Sequence, residues 1–175
     1  MPNRVRVYTF AEGLLSRIAH DLRLHIEPEG VKVERSGEQV AAELDPDRFV
    51  VDGAMKHTQV DREALTRRDR SKIVDTIHSE ILTTAKYPKI CFDGVANEQG
   101  DHLLEVSGEL ELVGVRRALE FVATREAGRI RARVTLRPTE WGIRPFKAFA
   151  GTIRLQDRVV VELDLDDIPN PSPAR

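Results

Sequence analysis

The sequence predicts a mainly β fold, an antiparallel barrel accompanied by one amphipathic helix. Three observations carry that expectation. Apolar residues recur at every second position over most of the chain. Short turn signals, most of them bearing glycine, separate the runs. A single segment changes to a helical period and then returns to alternation. A period of two is what a strand needs when one face is buried and the other is wet, because successive side chains leave opposite faces.

Taken in order, the first clear run is Asp21-Leu22-Arg23-Leu24-His25-Ile26-Glu27, in which every even position is apolar. A short helical turn is expected before it, at about 11–18. Glu29-Gly30, Ser36-Gly37, Asp93-Gly94, Gln99-Gly100-Asp101, Gly114 and Ala127-Gly128 supply residues that tolerate positive φ and read as reversals between strands. Between Thr66 and about Thr83 the apolar residues Ile73, Val74, Ile77, Ile81 and Leu82 fall at helical spacing, with Asp69, Arg70, Lys72, Asp75 and Glu80 on much of the other face. Thr66-Arg67-Arg68-Asp69 has the form of a capping box, and Tyr87-Pro88 ends any helix before it.

Alternation resumes afterwards. Phe92 and Phe121, Leu110 and Leu112, Val134 and Leu136, and finally Ile153 and Leu155 share inward positions with Leu22 and Leu24. About eight strand candidates result, at spacings suited to a barrel or sandwich. Residues 1–165 read as one domain, and the proline-rich residues 166–175 as a polar tail.

Composition narrows the function classes. The net charge of −2 lacks the basic excess of a nucleic-acid footprint. No run approaches the ~20 apolar residues of a membrane-spanning helix. One cysteine, Cys91, forbids an intrachain disulfide, and the first residues lack the apolar stretch of a secretory signal, so the expected compartment is the cytoplasm.

Catalytic patterns are sparse. The five histidines, His20, His25, His57, His78 and His102, form no H-x-x-x-H pair, so no metal or other cofactor is expected. Nucleophile-elbow, dinucleotide and Walker signatures are absent from the sequence. Cys91, between Ile90 and Phe92, reads as an outward-facing packed thiol. Arg129, Arg131 and Arg133 share one face and are expected to pair with acidic residues across the sheet. His20-Asp21 is the most reactive-looking pair. Its residues either spend their polar atoms on backbone at a barrel rim or converge on a ligand head group. Trp141-Gly142-Ile143-Arg144-Pro145-Phe146 breaks strand patterning with glycine and proline. Together with Phe149, its rings Trp141 and Phe146 either plug a barrel end or touch a ligand there.

Three segments, in order, resemble the YceI-like family: residues 13–22, residues 81–92 with Tyr87-Pro88 at the entry to a strand and leading into residues 106–115, and Thr139-Glu140-Trp141-Gly142-Ile143-Arg144-Pro145-Phe146 followed by Gly151-Thr152-Ile153-Arg154-Leu155. The resemblance implies an extended eight-stranded, lipocalin-like barrel with a helix beside it. It also implies an elongated apolar interior that in some members binds polyisoprenoid lipids, no agreed catalytic residues, and pairing into a homodimer. Many members are exported, whereas the first residues here do not read as a secretory signal, so the chain is expected to be a cytoplasmic branch. The resulting expectation is a noncatalytic binder of a long apolar ligand of polyisoprenoid, quinone or fatty acyl type. Its contacts would be Leu22, Leu24, Phe92, Leu110, Leu112 and Phe121, with Val134, Leu136, Trp141, Phe146, Ile153 and Leu155. The same alternation also describes a barrel filled by its own side chains, acting as an interaction or scaffold module.

Overall fold

The structure, a computed structural model, describes residues 1–12, 20–148 and 153–168; of Ala148 and Ile153 it describes the backbone alone. It is mainly β, with all pairings antiparallel. The strands are β1 (Arg4–Glu12), β2 (Leu22–Ile26), β3 (Val31–Ser36), β4 (Gln39–Leu44), β5 (Phe49–Lys56) and β6 (Gln59–Asp61). After one helix come β7 (Ile90–Gln99), β8 (Leu103–Leu112), β9 (Val115–Glu126), β10 (Arg129–Leu136), β11 (Lys147–Ala148) and β12 (Ile153–Asp166).

Hydrogen bonds join the strands in the order β3-β4-β7-β8-β9-β10-β12-β1-β2-β5-β6, with β11 beside the start of β12. Among the described residues this path is open, ending at β3 and β6, so the structure holds twelve strands in one unclosed sheet where eight in a barrel were expected. Proline explains much of the extra count. Pro28 and Pro46 each begin a short 3-10 turn, separating β2 from β3 and β4 from β5. A proline has no N–H for the ladder and fixes its own φ. The two interruptions lie side by side, since Glu27 N donates to Arg48 O at 3.0 Å and Asp45 N donates to Gly30 O at 2.9 Å.

Most reversals fall where glycine was expected, with Gly37, Gly100, Gly114 and Gly128 all at positive φ. Two turn assignments are corrected. Gly30 sits within the 3-10 turn that Pro28 opens, and it is not among the positive-φ residues. Asp93-Gly94 makes no turn: it lies inside β7, where Gly94 faces Gly108 of β8. The ring of Phe92 lies over that glycine pair. A methyl on either glycine would come within 2.9 Å of its Cζ, and closer still to backbone of the facing strand. The expected helical turn at about 11–18 also yields, since Ala11 and Glu12 belong to β1; its remaining residues lie outside those described.

The helix forms where its period predicts. α1 (Arg67–Thr76) starts with a complete capping box: Thr66 Oγ1 accepts from Asp69 N, and Asp69 accepts from Thr66 N. Those bonds satisfy backbone donors that the first turn leaves free and hold the Asp69 carboxyl below its usual pKa range. A wider π turn at Ile77–Ile81 continues it. No helix among the described residues is long and apolar enough to cross a membrane.

Candidate ligand-binding site

The inward sides of the strands, together with one side of the helix, enclose a cavity of about 700 Å³. That lies within the range typical of small-molecule sites, roughly 300–1,000 Å³. β2 contributes Leu22 and Leu24 to its wall, β7 contributes Phe92, and β8 contributes Leu110 and Leu112. β9 adds Phe121, β10 adds Val134 and Leu136, and β12 adds Leu155. From α1 and the π turn after it, Ile73, Ile77 and Ile81 line the same cavity. Regular alternation puts these side chains on one face, so their geometry follows directly from the period of two.

The aromatic segment divides into two roles. Phe146 lines the cavity, whereas Trp141 is absent from its wall. Trp141 is 2% exposed and its Nε1 donates to Leu110 O at 3.0 Å, which anchors the 3-10 turn Pro138–Trp141 against β8. Gly142 follows in the left-handed region, φ 77°, and redirects the chain toward Phe146. The side chain of Ile153 lies outside what is described, as does Phe149.

His20 and Asp21 part company. His20 is exposed and contributes to the cavity wall. Asp21 is committed to backbone: its Oδ1 accepts from Ala11 N at 2.8 Å and its carbonyl accepts from Met55 N at 2.7 Å. Thr9, on the inward face of β1, lines the wall with a buried hydroxyl that has no partner. Asp157 reaches the wall too; Thr139 N and Oγ1 both donate to it, at 3.0 and 2.5 Å, and those bonds hold its carboxyl below the usual range.

Sequence reasoning missed one histidine–carboxylate pair. His25 Nδ1 lies 2.8 Å from Asp52 Oδ1, while Arg23 Nε donates to Asp52 Oδ2 at 2.7 Å. The period of two places Arg23 and His25 opposite Leu22 and Leu24, hence on the outer face. Nothing near these residues in sequence points to Asp52, because the pairing of β2 with β5 creates the contact.

Cys91 faces away from the cavity that its neighbours Ile90 and Phe92 line. Burial pushes its thiol pKa up, and the carboxylates of Glu43, Glu111 and Asp93 add to the shift, so the reactive thiolate is disfavoured. Among the described residues no group of three His, Cys, Asp or Glu side chains is placed to hold a metal.

An antiparallel sheet wrapped around an apolar cavity has the architecture of a ligand-holding protein. Residues 22–166 match the YceI-like domain, and the chain belongs to that family. No curated protein sequence matches it. Among solved structures it is similar to Burkholderia cenocepacia BcnA, with a TM-score of 0.62 at 10% identity over 93% of this chain and 94% of that one. It is also similar to a polyisoprenoid-binding domain from Saccharophagus degradans implicated in plant cell wall breakdown, with a TM-score of 0.60 at 11% identity over 91% of each chain. The Campylobacter jejuni YCEI protein aligns less closely, with a TM-score of 0.50 at 8% identity over 79% of this chain and 81% of that one. At such identities these likenesses concern the fold.

Proposed function

We propose that the protein binds a long, thin apolar molecule of polyisoprenoid, quinone or fatty acyl type in this cavity without chemically altering it. The carrying observation is the cavity itself: about 700 Å³ behind walls that are overwhelmingly aliphatic and aromatic. Each methylene moved from water into such surroundings contributes about 0.8 kcal/mol, so a long chain gains affinity along its length with few polar contacts. A barrel filled by its own side chains, the competing reading, would leave no such volume. The Saccharophagus degradans relative supports the polyisoprenoid option.

On this reading the wall is a ring of eight. β2 with β3, and β4 with β5, each act as one long strand bent at Pro28 or Pro46; the pairings then run β1, β2/β3, β4/β5, β7, β8, β9, β10, β12 and back to β1. The paired bends at Glu27–Arg48 and Asp45–Gly30 support that continuity. The outer surface of such a ring is free for isologous contact, and a homodimer is the assembly we expect.

Organic extraction of the purified chain followed by mass spectrometry tests the proposal without presuming the ligand. A stoichiometric long-chain lipid is expected. A chain that arrives lipid-free and takes up no isoprenoid, quinone or acyl probe would count decisively for the filled-barrel reading.

A further inference from the structure

The two ends of the cavity differ in charge. At the near end β2 and β12 begin while β1 and β10 finish: Thr9 lies opposite both Leu22 and Val159, and Leu136 lies opposite Val159. α1 starts at the same end. Asp61 of β6 lies opposite Ala54, Ala54 opposite Leu22, and Arg70 of the helix donates to the carbonyl of Arg62. His20 just before β2, Lys72 on α1, Arg144 ahead of β11 and Arg158 on β12 all line the cavity there, with Asp157 as the acid of that wall. At the far end, level with the pairing of Arg129 and Asp166, the wall holds Arg35 with Asp166 and Asp167.

The far-end charges are engaged within the protein. Arg35 Nη2 donates to Glu98 at 3.1 Å, Arg125 Nε lies 3.0 Å from Asp167 Oδ2, and Arg129 donates to Asp166. At the near end only the acid is engaged: Asp157 accepts from Thr139 N and Oγ1 and lies 3.8 Å from Arg137. Lys72, Arg144 and Arg158 form no ion pair among the described residues. Asp69, on the turn before Lys72, is bound to Thr66 at the cap. Arg158 lies over the Phe10 ring, 4.1 Å from its centroid, a contact that holds the guanidinium without neutralising it. All three cations, and His20, are exposed, so a ligand group reaches them from solvent.

Building on the binding reading above, we propose that the near end receives the carboxylate of a fatty-acid-like ligand, whose chain runs along the aliphatic wall toward the far end. Lys72 and Arg144 supply the attraction, with Arg158 and His20 beside them. A carboxylate here keeps part of its hydration and gains nearby cations, whereas at the far end it would meet two carboxylates of the wall. A hydroxyl head gains no such attraction, and an ammonium is repelled.

The test loads the delipidated full chain with dodecanoate, dodecanol or dodecylamine at neutral pH and measures each dissociation constant by equilibrium dialysis. Dodecanoate should bind about tenfold tighter than dodecanol at low salt, the scale of a few solvent-exposed charge contacts, and the advantage should shrink as salt rises. In the double variant Lys72→Glu with Arg144→Glu the preference should disappear, while dodecanol affinity and the circular dichroism spectrum stay as in the wild type. Equal binding of acid and alcohol by the wild type, tighter binding of the amine, or an unchanged ratio in the double variant overturns the head-group site while leaving the apolar cavity intact. Failure of all three probes and of their longer oleyl homologues removes the binding reading as well. Should the double variant not fold, the wild-type ratio and its salt dependence decide alone.

Discussion

Two lines of ion pairs, Arg131 and Arg133 on the outer face and Arg35 and Arg125 on the inner one, differ in what surrounds their arginines. On the outer face Arg133 Nη1 donates to Glu162 at 2.6 Å, and Arg131 pairs with Glu126 and with Asp164, as the alternation of β10 anticipates. Water reaches these groups: the side chains of Arg133 and Arg131 are 63% and 52% exposed. At the inward end Arg35 is 7% exposed and Arg125 22%, while the Glu98 carboxylate they share stays 49% exposed. The chemistry of the side chains is the same, but the solvent around them is not. Exposed pairs exchange water for a partner at little net gain, whereas enclosed ones leave a desolvated partner behind when broken. The outer set mostly keeps neighbouring strands in register, and the inner set ties β3, β7, β9 and the end of β12 to one another.

Four substitutions probe that contrast. The largest effect is expected from Leu110→Arg, which places a charge with no partner among the aliphatic residues of the wall. Chemical denaturation should show a loss of more than ~3 kcal/mol. Arg125→Ala should cost about 2 kcal/mol in the same assay, because it strands Asp167 and weakens the hold on Glu98. A cost no larger than that of the outer arginine would erase the distinction between the faces. Glu98→Gln acts mainly through pH. Hydrogen bonds from Arg125 and then Arg35 depress the Glu98 pKa. Its contribution is therefore complete above its unfolded pKa of about 4.3 and fades as pH falls through the lower folded value. Melting temperature followed down to pH 3 should drop less steeply in Glu98→Gln than in the wild type. Arg133→Ala is expected to have the smallest effect, about 0.5 kcal/mol or less, and to shrink further in high salt.

How legible each part was depended on whether its cause is local. The alternation around Leu22, Leu110 and Val134 announces strands, and Thr66 with Asp69 announces the helix start, because both signals act over a few residues. The expected inward set was likewise readable from parity, although Trp141 shows that a large ring beside a glycine can be anchored behind a wall instead of lining it. The strand count failed at Pro28 and Pro46, where a bend within a strand looks in sequence like an ending. Asp93-Gly94 failed for the opposite reason: a strong turn dipeptide was needed for close backbone approach to β8. Pairings such as His25 with Asp52, or Arg35 with Glu98, depend on which strands become neighbours, and no short-range pattern carries that information. The parity of Arg35, Glu98, Arg125 and Asp167 is present in the sequence; their convergence comes only from the strand order.

The glycine pair under Phe92 has a mechanical consequence for the chamber. Because Gly94 and Gly108 carry no side chains, the ring rests against backbone and also tilts toward Phe121, whose centroid is 6.0 Å away. The bore at that level is thus set by two absent methyl groups. Restoring either one would press on the facing main chain and lift the ring from its recess toward the lumen. A chamber gauged in this way can be narrowed by changing residues that do not line it.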